Sequence, residues 1–236
     1  MKLQSLIKFL FSWLIINIAL FNLAFSQDAA DYYNNGMKDA QAKNYESAIA
    51  NFSKFIELSP TDPDLVKAYV FRGRCYFYSK NFDASIADFN KAIELKGDEF
   101  AYYYYRATAY DNLKDYKNAI TDYTKSISLK PDFMNSYFNR GVDYYNLQDT
   151  VNALTDYGKV IELKPDFADA YLNRGNVYLD LNKYQEAIND YEKAISLNAD
   201  YEKDLRPLID KTKERIKILN DQKQDDKKDD KKDEKK

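Results

Sequence analysis

The sequence predicts an all-α fold: a superhelical array of five helical hairpins closed by a C-terminal capping helix. Three observations predict it. Glycine and proline number only 6 and 5 in 236 residues, too few for the turns of a many-stranded β protein. Gly36, Gly73, Gly141 and Gly175 are spaced 37, 68 and 34 residues apart, with Ala107 in the same slot halfway across the 68. A period of 34 residues is the length of two short helices and a turn. Tyrosine (22) and phenylalanine (14) assign much of the core to aromatic packing.

Five repeats follow: residues 29–62, 66–99, 100–133, 134–167 and 168–201. In each first helix a tyrosine stands four residues before the glycine slot: Tyr32, Tyr69, Tyr103, Tyr137 and Tyr171. Tyr76, Tyr110, Tyr144 and Tyr178 stand three residues after it, so both sets share a helix face. The second helix opens near Tyr45, Phe82, Tyr116 or Tyr184; Thr150 replaces that aromatic in the fourth repeat, where the loosest turn is expected. A small residue follows (Ala48, Ser85, Ala119, Ala153, Ala187), and four places on an aromatic (Phe52, Phe89, Tyr123, Tyr157, Tyr191). Small residues on both helices let the axes approach while the aromatics interlock beside them. Pro60, Pro131 and Pro165 stop the second helix. The 37-residue step comes from three extra residues around Thr61–Asp64, where Asp62 is expected as N-cap and Pro63 as first helical residue.

These residues resemble the tetratricopeptide repeat family. Its pattern of aromatic, leucine, glycine, tyrosine, alanine and aromatic matches Tyr171, Gly175, Tyr178, Ala187 and Tyr191, with Arg174 in the leucine slot. The resemblance covers residues 29–201 and implies a right-handed superhelix with the first helices on its concave side. Departures are local: Asp39 replaces a tyrosine, and Gly97 and Ala199 replace the closing proline.

Outside the repeats, residues 1–26 read as an export signal. Lys2 and Lys8 precede or flank an apolar run ending in Ala24-Phe25-Ser26, with cleavage expected after Ser26. The competing reading keeps residues 6–25 as a membrane anchor, long enough to span a bilayer. After the repeats, residues 202–220 supply the capping helix, with Leu205, Leu208, Ile209, Ile216 and Leu219 on one face. Residues 221–236 carry seven acidic and seven basic side chains and are expected to be disordered. Cys75 is the only cysteine, so no internal disulfide forms, and it reads as a small buried apolar residue.

Arg72, Arg106, Arg140 and Arg174 sit in an otherwise apolar slot, and Asp88, Asp122, Asp156 and Asp190 follow each by sixteen residues. In the first repeat both places change together, to Asn35 and Asn51. Each arginine is therefore assigned to the aspartate of its own hairpin as a structural ion pair. The competing register would join each aspartate to the arginine eighteen residues on.

Composition narrows function. Beyond residue 26 the chain has 33 basic and 38 acidic residues, an acidity that argues against nucleic acid. No histidine is present, which removes imidazole triads and histidine metal sites, and no glycine-rich phosphate loop appears. No catalytic residue, metal or cofactor is assigned. By resemblance, ligand contacts are expected from Tyr33, Asn34 and Met37; Val70, Phe71, Arg74 and Phe77; and Tyr104, Tyr105 and Thr108. Phe138, Asn139, Val142 and Tyr145, with Leu172, Asn173 and Asn176, complete the set. Family members that grip acidic chaperone tails use lysine, arginine and asparagine at such places, a set that Tyr33, Met37, Lys67 and Phe71 do not reproduce. The expectation is an exported scaffold, periplasmic or secreted, binding a protein or peptide partner. A membrane-anchored assembly factor and a glycan or small-ligand binder are the alternatives, and packing of the aromatics between repeats is the competing structural account.

Overall fold

The computed structural model describes residues 28–233. The signal segment at residues 1–26 and the anchor alternative at residues 6–25 lie outside the described residues. The helices are α1 (residues 28–41), α2 (Tyr45–Leu58), α3 (Leu65–Tyr78), α4 (Phe82–Leu95), α5 (Phe100–Asn112) and α6 (Tyr116–Leu129). Then come α7 (Met134–Asn146), α8 (Thr150–Leu163), α9 (Ala168–Asp180), α10 (Tyr184–Leu197) and α11 (Glu202–Asp233), with a 3-10 turn at Ala199–Tyr201. No strand occurs among the described residues. Two compact units divide between Leu129 and Lys130, the first holding α1–α6 and the second α7–α11.

Within each unit consecutive helices pack as hairpins. The glycine slot explains how closely they approach. A Cβ built on Gly175 would lie 2.7 Å from Tyr191 Cε1, and one on Gly141 would lie 2.9 Å from Tyr157 Cε1. Both rings are fully buried, so the bare backbone of the first helix serves as the bed for the aromatic of the second. Opposite stand Ala48, Ser85, Ala119, Ala153 and Ala187, all fully buried. The second helices that precede proline stop at Leu58, Leu129 and Leu163, two residues before Pro60, Pro131 and Pro165.

Each hairpin turn uses one left-handed residue: Lys43, Lys80, Lys114, Gln148 or Asn182, with φ between 57° and 62°. None is glycine. Two backbone bonds hold each: in the third hairpin Asp115 N–H donates to Tyr110 O at 2.9 Å and Lys114 N–H to Asp111 O at 2.8 Å. This pairing satisfies carbonyls that the helix end leaves open. The fourth turn has the same two bonds, Asp149 N–H to Tyr144 O (2.8 Å) and Gln148 N–H to Tyr145 O (2.9 Å). Its hydrogen bonding is therefore no looser for having Thr150 in the aromatic slot, and Asp149 caps α8 by accepting from Asn152 N–H at 3.2 Å.

Two expectations change. The Thr61–Asp64 insertion does not lengthen α3: the helix starts at Leu65, and Asp62 Oδ1 instead accepts from Asp64 N–H at 2.7 Å. The aspartate side chain has closed a local turn before helix could begin there. At the other end α11 continues as helix through Asp233, past the expected end at residue 220 and into the charge run expected to be disordered. After Pro207 that sequence has neither glycine nor proline to stop a helix already begun. Leu205 and Ile209 of α11 are buried against Tyr171, Ala187, Ile188, Tyr191 and Ala194, which closes the second unit.

Candidate functional site

The arginine slot resolves first. Arg72 grips Asp88 with Nε (2.8 Å) and Nη2 (2.7 Å), and Arg106 grips Asp122 with both at 2.6 Å. Arg140 holds Asp156 at 2.8 and 2.7 Å, and Arg174 holds Asp190 at 2.8 Å twice. This is the register within each hairpin. Each guanidinium also lies over tyrosine: Arg72 over Tyr69 and Tyr76, Arg140 over Tyr137 and Tyr144, and Arg174 over Tyr171 and Tyr178, all within 6 Å of the ring centroids. Arg106 lies over Tyr103. A planar, weakly hydrated cation fits between two rings where an ammonium would not.

The aspartates are nearly inaccessible, with side-chain exposures from 4% to 8%. Burial pushes the Asp88 and Asp156 carboxyls up despite the adjacent arginines, so desolvation outweighs attraction. Arg72 and Arg106 reach further with Nη1, to Ser53 Oγ (2.9 Å) and Asn90 Oδ1 (2.6 Å) on the preceding hairpin. These groups are consumed internally. The first hairpin substitutes a different set: Asp39 accepts from Asn51 Nδ2 at 2.9 Å and Ser47 Oγ at 2.5 Å.

In the first unit the expected contact residues fall on α1, α3 and α5. Asn34 is exposed; Tyr33, Met37, Val70, Phe71, Arg74, Phe77, Tyr104, Tyr105 and Thr108 are half-buried. Their aromatic rings have neighbours. Tyr33 meets Phe55 at 5.1 Å and Phe52 at 5.9 Å between centroids, and Phe71 stacks on Phe52 at 5.9 Å. Tyr105 stacks on Phe89 at 5.6 Å, Tyr104 tilts against Tyr123 at 6.0 Å, and Phe77 meets Phe82 edge-on at 5.5 Å. Thr108 turns its hydroxyl onto Tyr105 O. These rings are packing elements with one edge left open.

In the second unit Phe138, Asn139, Val142 and Tyr145 (α7) and Leu172, Asn173 and Asn176 (α9) are likewise half-buried. Phe138 sits 5.1 Å from Phe167 and 6.0 Å from Tyr157. The amides are partly engaged. Asn173 Nδ2 donates to Asp169 O at 2.9 Å, and Asn176 Oδ1 accepts from Tyr191 O–H at 2.9 Å. Tyr145 O–H donates to Asp180 Oδ2 at 2.5 Å, a link between α7 and α9 across 35 residues of sequence. Burial first, then that bond, pushes the Tyr145 phenol up to about 12.

Several residues outside the sequence-derived set also shape the site. In the first unit a cleft of about 600 Å³ opens beside Met37, Phe71 and Arg74, and its remaining wall comes from Ala40, Gln41, Lys43, Tyr45, Cys75 and Tyr78. Tyr45 opens α2 in the aromatic slot that recurs at Phe82, Tyr116 and Tyr184, Tyr78 closes α3, and their rings stack at 5.4 Å. Cys75 is buried, and burial pushes its thiol up to about 11. Among the described residues no three His, Cys, Asp or Glu side chains converge to hold a metal, and no helix is long and apolar enough to cross a membrane.

Models of the Tetratricopeptide repeat match residues 66–99, 100–133 and 168–201, and a TPR repeat model matches residues 143–182. No curated protein matches the chain. Among solved structures, the fold is similar to that of MamA (21% identity, 77% of this chain and 96% of that one, TM-score 0.68). It is also similar to MamA from Desulfovibrio magneticus RS-1 (16% identity, 73% and 96%, TM-score 0.69). A third is YrrB, described as a TPR protein with an unusual peptide-binding site (24% identity, 74% and 89%, TM-score 0.65). The paired helices, the repeated glycine bed and the family models that match four stretches of the sequence agree: the chain belongs to the tetratricopeptide repeat family.

Proposed function

We propose that the protein is an exported, non-enzymatic scaffold that binds a peptide or helix of a partner protein on the first-helix faces of its hairpins. One observation carries the reading: residues at one register of α1, α3, α5, α7 and α9 keep half-exposed apolar, aromatic and amide side chains. Their backbones and rings are already fixed by packing against the second helices, so little ordering cost remains when a ligand arrives. The repeated arginines are not a ladder of open anion sites, because each is occupied by aspartate. The fold shared with YrrB, itself described as peptide-binding, supports the same reading.

The test is selection of peptides from a random library on the purified protein, followed by Tyr104→Ala and Phe138→Ala variants. Loss of binding in a variant that keeps its helical circular dichroism places the ligand on that face. Binding only on a glycan array overturns the reading. Export is tested by N-terminal sequencing of the protein recovered outside the cytoplasm. Gln27 as first residue supports release, and retention of residues 6–25 supports a membrane-anchored form instead.

A further inference from the structure

Among the three arginines of the first unit, Arg72 and Arg106 each clasp an aspartate, and Arg74 clasps no carboxylate among the described residues. Its Nε is buried without a hydrogen-bond partner, and its guanidinium is steadied over the Tyr105 ring at 5.2 Å. Arg74 lines the 600 Å³ cleft, and among the described residues the only other charged side chain there is Lys43. Two cations and no acid form the lining, in a chain whose net charge is −3. The rest of the wall is Met37, Ala40, Phe71, Cys75 and the stacked pair Tyr45 and Tyr78, with the uncharged amide Gln41 as its one further polar side chain. The size suits one or two amino-acid side chains. The cleft is bounded by the C-terminal parts of α1 and α3, by Lys43 of the turn and by Tyr45 at the start of α2, and several of its residues fall outside the set expected from sequence.

We propose that this cleft binds a partner peptide through an acidic side chain paired with Arg74 and an adjacent bulky apolar side chain lodged against Phe71, Tyr45 and Tyr78. This rests on the scaffold reading and specifies the ligand chemistry at one end of it. The Arg74 guanidinium, held over Tyr105 and clasped by no carboxylate among the described residues, offers a ligand carboxylate a charge-assisted bond in a half-buried setting. The apolar neighbour covers the stacked tyrosines and shields the pair from solvent. Lys43, exposed at the rim, adds attraction that salt screens.

Random-peptide selection on the purified protein tests it, with Cys75, the single thiol and part of the cleft wall, as the reporter. The expected result is peptides carrying Asp or Glu next to an aromatic or branched aliphatic residue, which slow the labelling of Cys75 by a thiol reagent. Arg74→Gln should weaken them about tenfold or more. Lys43→Gln, which keeps the turn's backbone hydrogen bond and changes only an exposed side chain, should weaken them about threefold and flatten the salt dependence. Peptides without an acid, equal binding to Arg74→Gln, or unchanged Cys75 labelling overturn the proposal. If such peptides instead depend on Tyr104 or Phe138, the scaffold reading survives alone; if no peptide is selected, both fall. Protection of Cys75 by 4-phenylbutyrate with no peptide selected overturns the choice of a peptide as occupant.

Discussion

Arg140 clasps Asp156 through two parallel hydrogen bonds of 2.8 and 2.7 Å while Tyr137 and Tyr144 cover its guanidinium. Burial holds the Asp156 carboxyl above its ordinary range, so the aspartate depends on its partner. Arg140→Leu should lower unfolding stability by about 3 kcal/mol or more, because it strands a buried carboxylate. Adding Asp156→Leu should recover part of that loss, since an apolar pair has no desolvation to offset. Urea unfolding of the two variants checks this, and equal stability of single and double mutants would refute the pairing as an energetic unit.

Two glycines of the second unit predict opposite outcomes. At Gly175 a methyl group would enter the buried Tyr191 ring at 2.7 Å, so Gly175→Ala should destabilise by about 1–2 kcal/mol despite alanine's better helix propensity. At Gly158, inside α8, a Cβ meets nothing within 4 Å, so Gly158→Ala should stabilise by about 1 kcal/mol. Thermal unfolding of both variants reads the contrast directly.

The left-handed turns are a reserve of stability. Lys114 has φ 60°, a conformation that penalises any Cβ. Lys114→Gly keeps both turn hydrogen bonds and should raise stability by about 0.5–1 kcal/mol. Asn182→Gly, at φ 57°, should gain less, because asparagine already tolerates that region. A larger gain at Asn182 than at Lys114 would contradict the argument.

Alkaline pH should loosen the second unit. Tyr145 is pushed up to about 12 by burial and its Asp180 bond, and Tyr201 to about 12 by its hydrogen bond to Asp169 and then burial. Raised phenols favour the protonated, folded form, so their contribution is complete below the unfolded phenol's pKa of about 10 and lost as pH climbs towards 12. The unfolding midpoint should hold steady from about pH 7 to 9.5 and then fall. The Tyr145→Phe/Tyr201→Phe variant should fall less steeply over that window.

The hairpins and the arginine–aspartate pairs were legible because each repeats at a fixed interval, and the coordinated change to Asn35 and Asn51 marked the two slots as one feature. The Asp39 set in the first hairpin was visible only as a departure, since nothing in spacing says that a carboxylate will take over from two other positions. The turns left no signature: Lys43, Lys80, Lys114 and Gln148 adopt a glycine-like backbone because two hydrogen bonds hold it there. The candidate contact faces were legible by register, but register does not reveal that Phe71, Tyr104 and Tyr105 lean on second-helix rings. Tyr45 was legible as a recurring turn aromatic, but its period does not reveal that Lys43 and Tyr78 join it beside Arg74, which only the folded hairpins bring about.

The third nitrogen of the arginines has a consequence for how such a chain can change length. Arg72 and Arg106 each extend Nη1 backward to a polar side chain at one fixed position of the previous hairpin, Ser53 or Asn90. The second hairpin therefore carries its own aspartate for internal closure, an arginine that reaches its predecessor, and a small polar group that receives its successor. A 34-residue block with those three features meets both neighbours through the same groups, so its insertion or removal at such borders is expected to need no compensating substitution. Gly158, which offers Arg174 no such group, marks one border where that interchangeability is broken.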